Sequence, residues 1–125
     1  MADRVRVILV IDDDETVLKQ VSNILKESGF QPVTASNGLD GLKQLGSSTV
    51  EMIILDVNMP ELDGMQTCRL VRANEKHRNT PILMLTARGD ITDMMEARKM
   101  GADDYLVKPL DSNTLLRKIE RLITR

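Results

Sequence analysis

Aromatic side chains are nearly missing from this sequence, whose 125 residues include one Phe, one Tyr and no Trp. Platforms that stack nucleobases need several rings, so single-stranded nucleic acid is a poor candidate ligand. Positive charge is not in excess either. Seventeen Lys and Arg face nineteen Asp and Glu, for a net charge of -2, whereas a nucleic-acid surface shows a basic surplus. No direct nucleic-acid binding by this chain is expected. The single Cys cannot close an internal disulfide or furnish a structural zinc site, which suits a reducing compartment. No stretch approaches the ~18 apolar residues that a membrane span needs. The apolar run Val7 to Ile11 is too short for the central segment of a signal peptide. The expected location is the cytoplasm, with no membrane contact. Eight Met residues are available to fill core gaps in place of the missing rings.

What is present is an ordinary globular composition, 42% hydrophobic and 29% charged, in a chain long enough for one self-sufficient domain over 1–125. Five short apolar runs alternate with five helical patterns. The runs are Val5 to Ile11, Pro32 to Ala35, Met52 to Leu55, Pro81 to Leu85 and Tyr105 to Val107. The helices are expected from Asp14 to a stop at Gly29, from an Asn37 cap to Gly46-Ser47-Ser48, from Gly64 to Arg72, from about Asp90 to Met100, and after an Asp111 cap. Their inward faces carry Leu18 and Leu25, then Leu39, Leu42 and Leu45, then Cys68 and Val71, at helical spacing. Gly41 inside the second helix costs ~1 kcal/mol relative to Ala. Strict alternation with right-handed crossovers gives an α/β fold, a doubly wound five-stranded parallel sheet with helices on both faces. The expected strand order is 2-1-3-4-5, the flavodoxin-like arrangement.

The most informative stretch is Met52-Ile53-Ile54-Leu55-Asp56, an apolar run that ends on a carboxylate before the punctuated loop Val57 to Gly64. Open α/β sheets place their ligands at the carboxyl ends of strands. On its own Asp56 could be no more than a cap for the following turn. The first strand, however, also ends in acid, Asp12-Asp13-Asp14, and the strand order sets it beside the third. Asp12, Asp13 and Asp56 then crowd one rim. Either one of them stays protonated or cations neutralise them. Oxygen ligands suit a hard, partly hydrated ion such as Mg²⁺. Lys108, ending the fifth strand, adds one positive charge, and Thr86, ending the fourth, adds a hydroxyl that can donate to an incoming oxygen. Each strand that reaches the crevice ends in a residue useful for phosphoryl chemistry. His77, the only histidine, falls in the polar Asn74–Thr80 loop and reads as solvated surface.

In these residues the chain resembles the receiver domains of two-component response regulators, the chemotaxis regulators among them. The matching segments are Asp12-Asp13, Asp56 within Leu55 to Gly64, Thr86-Ala87, and Gly101 to Pro109. The resemblance spans essentially the whole chain. It implies a phosphorylation-activated signalling switch that takes a phosphoryl group onto Asp56 from a sensor histidine kinase or a phosphotransfer protein. It implies Mg²⁺, with Mn²⁺ able to substitute, held by Asp13 directly, by Asp12 mostly through water, by Asp56 and by the backbone carbonyl of Asn58. Thr86 and Lys108 would contact the phosphoryl oxygens, and Thr86 and Tyr105 would form the switch. Asn58 and Arg88 would flank the group and tune its lifetime. A cis peptide bond is expected between Lys108 and Pro109. The domain would promote its own phosphotransfer and dephosphorylation rather than act as an enzyme on a separate substrate, and its output partner is left open.

Three other readings fit less well. A phosphatase similar to the haloacid dehalogenase type needs an acid two residues after the nucleophile. That position is Asn58, whose amide cannot shuttle a proton near neutral pH. A flavodoxin-like cofactor carrier needs donors in its first loop, where Asp12-Asp13-Asp14 would repel a flavin phosphate. A degenerate receiver that only docks partners should lack a site residue, and none is missing.

Overall fold

The computed structural model describes residues 5–87 and 91–123, with backbone alone for 91–93. The strands are β1 (Val7–Ile11), β2 (Gln31–Ala35), β3 (Met52–Asp56), β4 (Ile82–Thr86) and β5 (Asp104–Val107). They alternate with α1 (Glu15–Glu27), α2 (Gly38–Ser47), α3 (Gly64–Ala73), α4 (Ile91–Lys99) and α5 (Ser112–Ile123). All pairings are parallel, in the order β2-β1-β3-β4-β5. No helix among the described residues is long and apolar enough to cross a membrane.

The period of two along each strand divides the core into two layers. Ile8, Val10, Ile54, Leu83 and Leu85 face one side, against Leu18, Val21 and Leu25 of α1 and Leu115, Ile119 and Leu122 of α5. Leu9, Ile11, Ile53, Leu55 and Met84 face the other, against Leu45 of α2, Cys68 and Val71 of α3 and Ala97 of α4. β3 and β4 are buried at every position, as strands covered on both faces must be. Cys68 behaves as a core hydrophobe, and burial pushes its thiol up to about 11. Helix starts follow capping chemistry: Asp14, Asn37 and Asp63 accept backbone N–H groups of the first turns, satisfying donors that the helix itself cannot.

Two expectations need correction. Leu39 does not face the core and is 57% exposed. It stands beside Gly38 at the outer start of α2, and the helix meets the sheet through Gly41 instead. A Cβ at Gly41 would overlap the Ile11 side chain, so the glycine that weakens the helix also permits its seat. His77 is not solvated surface. It is 2% exposed, because Glu75–His77 form a 3₁₀ turn that folds under Arg72. The Arg72 guanidinium donates to the carbonyls of His77 (2.8 Å), Thr80 (2.7 Å) and Gly101 (2.9 Å), and pairs with Asp103 at 2.9 Å.

Candidate functional site

The register that pairs Ile11 with Leu55 sets the next residue of β1, Asp12, beside Asp56 at the carboxyl rim. Both are buried, at 0% and 3% exposure. Asp12 is fixed by its surroundings: its N–H donates to the Ala35 carbonyl at 3.1 Å, and its Oδ1 accepts the Asp14 N–H at 2.9 Å. Asp13 stands exposed at the mouth. One oxygen from each of Asp12, Asp13 and Asp56 lies within 4.8 Å of the others.

Lys108 enters from the next strand but one. Its Nζ lies 3.0 Å from Asp12 Oδ2 and 3.3 Å from Asp56 Oδ1. The Lys108–Pro109 peptide is cis, and the Lys108 N–H donates to the Thr86 carbonyl at 2.7 Å, so the ends of β4 and β5 are tied. Thr86 is fully buried. On the other side, the Val57 N–H donates to the Leu85 carbonyl at 2.8 Å, extending the β3–β4 ladder one residue past Asp56. Gly64 packs so closely on the Asp56 carbonyl that a Cβ there would overlap it. That requirement was visible only as an Asp-Gly pair after the loop. Asn58 is exposed beyond Asp56, while Arg88 falls outside the described residues.

Electrostatics in the crevice are unbalanced. Burial, then the charge of Asp12, push the Asp56 carboxyl up to about 7, and Lys108 offsets only part of this. Burial opposes a charged Lys108, but pairing with Asp12 and Asp56 raises its proton affinity above the ordinary lysine value. The two alternatives for crowded carboxylates thus meet at one residue, because Asp56 keeps its proton well above the usual range unless positive charge arrives. The donor set consists of oxygens. Asp12 Oδ2 is buried and is met by the Lys108 ammonium at 3.0 Å. Such an oxygen, next to two more carboxylates, fits a hard cation.

Tyr105 is already buried, at 8% exposure, in the cluster that holds Met84 and Ala97. It pairs across the sheet with Met84, on the layer under α4, so alternation along β5 turns the ring inward without any phosphoryl group. The ring therefore starts from a buried position. On that side Met94 is partly buried against the same cluster. Met95, not singled out from sequence, is an exposed apolar residue of α4.

Residues 8–120 match the response regulator receiver domain family. Protein PilG of Pseudomonas aeruginosa is 35% identical over 113 residues, covering 90% of this chain and 84% of PilG. The transcriptional regulatory protein CpxR homolog of Haemophilus influenzae is 38% identical over 118 residues, covering 94% of this chain and 50% of that protein. The chain spans about half the length of the transcriptional regulators that it matches. Among solved structures, the Vibrio cholerae chemotaxis protein CheY4 superposes with a TM-score of 0.92 at 33% identity, covering 95% of this chain and 99% of that one. A putative response regulator from Chloroflexus aurantiacus gives 0.94 at 33% identity, covering 98% and 100%. Strand order, carboxylate rim and sequence agree: the chain belongs to the response regulator receiver domains, the phosphoryl-accepting switches of two-component signalling.

Proposed function

We propose that Asp56 is the phosphoacceptor of a cytoplasmic protein and that a sensor histidine kinase or phosphotransfer protein supplies the group from a phosphohistidine. The observation that carries this reading is the placement of Asp56, buried at the end of β3 between Asp12 and Lys108. An Asp56 oxygen attacks phosphorus in line, and the electron pair of the breaking P–N bond returns to the donor imidazole. Lys108 already lies against Asp56 Oδ1 and can follow charge onto the phosphoryl oxygens. The Thr86 hydroxyl can donate to one of them. Mg²⁺, held by Asp12, Asp13, Asp56 and the Asn58 carbonyl, would neutralise phosphoryl charge during transfer, and Mn²⁺ would serve similarly.

The domain acts on itself, promoting its own phosphorylation and later hydrolysis, with Asn58 and Arg88 setting access to the phosphoryl group. The signal leaves through Thr86 toward Tyr105 and the α4 side of the sheet. Because Tyr105 is already packed there, the change is a repacking of α4 around it rather than a swing of the ring from solvent. Acetyl phosphate with Mg²⁺ should add one acid-labile phosphoryl mass to the wild type and none to Asp56→Asn. Labelling retained in that variant would refute the assignment.

A further inference from the structure

A second feature lies next to the crevice and shares only Asn58 with the residues assigned above. An open groove of about 490 Å³ is walled by the β3–α3 loop, the start of α3 and α4, and is lined by Val57, Asn58, Met59, Asp63, Met65 and Glu96. Its floor is apolar. Val57 and Met59 are buried, and Met65 packs half-buried on the same core layer. Its rim is acidic. Glu96 is exposed and has neither ion pair nor hydrogen bond among the described residues. One Asp63 oxygen accepts the Gln66 N–H at 2.8 Å, leaving the other without a hydrogen bond among those residues. Among the described residues, no Lys, Arg or His lines the groove.

Flexible thioethers under an acidic rim complement a side chain with an alkyl stem and a cationic head. We propose that this groove docks an arginine carried by a basic segment of a partner protein. Arginine fits better than lysine, because its planar guanidinium sheds water more readily against thioethers and presents several donors to carboxylates. Val57, Asn58 and Met59 follow Asp56 directly, and Gly64 backs onto the Asp56 carbonyl. An arginine seated here therefore touches the loop that the state of Asp56 would move. That coupling rests on the phosphoacceptor reading, whereas the binding itself does not.

The test uses protein labelled at methionine methyl groups, in Mg²⁺ so that the crevice is not a competing cation site, and without phosphodonor. The blocked peptide acetyl-Ala-Arg-Ala-amide should shift Met59 and Met65 saturably, while the core Met52 and Met84 stay in place. Glu96→Gln, an exposed helical position, should raise the half-saturating concentration about fivefold, the scale of one rim charge pair. Asp40→Asn, equally acidic but outside the groove, should not change it. The proposal is overturned if the shifts do not saturate, if Glu96→Gln binds as the wild type does, or if the corresponding glutamate peptide gives the same shifts. Tighter binding of spermidine than of the arginine peptide would also overturn it, by assigning the groove to small polycations. Absence of beryllofluoride-induced shifts at the crevice in the same samples would instead count against the phosphoacceptor reading and leave the groove result standing.

Discussion

Neutralising Asp56 should stabilise the metal-free protein at neutral pH, although the substitution removes the residue proposed to carry the chemistry. Burial and the neighbouring Asp12 raise the Asp56 carboxyl from 3.8 to about 7. The folded carboxyl therefore holds its proton more tightly than the unfolded one does. Stability from this group is fully present below about pH 4, declines as pH rises toward about 7, and levels off above that. At about 1.4 kcal/mol per tenfold change in proton affinity, complete ionisation costs the fold at most about 4 kcal/mol. Water and counter-ions drawn into the crevice weaken the repulsion, so a gain of about 2 kcal/mol is expected for Asp56→Asn near pH 8. Little difference is expected near pH 4. Urea unfolding in EDTA across that range measures both. Mg²⁺ should then reverse the ranking, because binding to the folded wild type adds about 2.7 kcal/mol at a hundredfold excess over its Kd. If Asp56→Asn is the less stable protein near pH 8 in EDTA, pairing with Lys108 outweighs the repulsion and the electrostatic account fails.

Three further predictions follow from single contacts. Asp13→Ala should weaken Mg²⁺ binding at least about tenfold, as loss of a metal-site oxygen does; equal affinity by calorimetric titration would remove Asp13 from the ligand set. Thr86→Ala should still accept beryllofluoride but lose the amide shifts that the wild type shows around Tyr105 and α4, and identical shifts in both proteins would exclude Thr86 as the coupling residue. Arg72→Met should cost about 3–5 kcal/mol in urea unfolding, because it strips donors from the His77, Thr80 and Gly101 carbonyls and removes the cation paired with Asp103; a loss below about 1 kcal/mol would show that water replaces the guanidinium.

The sheet and its rim were legible because their signals are local and strong. β3 and β4 are continuous apolar runs, and each strand that reaches the crevice ends in a polar residue whose position the strand order then fixes. Helix starts were legible through Asp14 and Asn37 for the same reason. What escaped depends on contacts between distant segments. Leu39 obeys the helical pattern but lies at the outer start of α2, where Gly41 takes the contact with Ile11. His77 sits in a polar stretch that looks solvated until Arg72 gathers three carbonyls from two connections, those of His77 and Thr80 before β4 and that of Gly101 before β5. Tyr105 could rest inward or outward by chemistry alone, and only the pairing with Met84 decides that it is in.

The same separation explains how one rim can carry a switch. Residues that set the fold lie in the two apolar layers, whereas the crevice holds buried carboxylates that the fold tolerates without needing. An isolated crowd of this kind is a poor stabiliser and a good sensor, because any added cation or phosphoryl group changes the charge balance at Asp56 more than it changes packing. The transmitting elements are equally specific. The Lys108 N–H ties β5 to the Thr86 carbonyl, and the β3 loop returns through Gly64 to the Asp56 carbonyl, so backbone contacts join the rim around Asp56 to β5 and the start of α3. At the opposite rim, Arg72 holds the Gly101 carbonyl just past the end of α4, together with the Asp103 carboxylate that also accepts the Ile82 N–H. The backbone ties at the crevice and the Arg72 clamp thus hold opposite ends of the sheet.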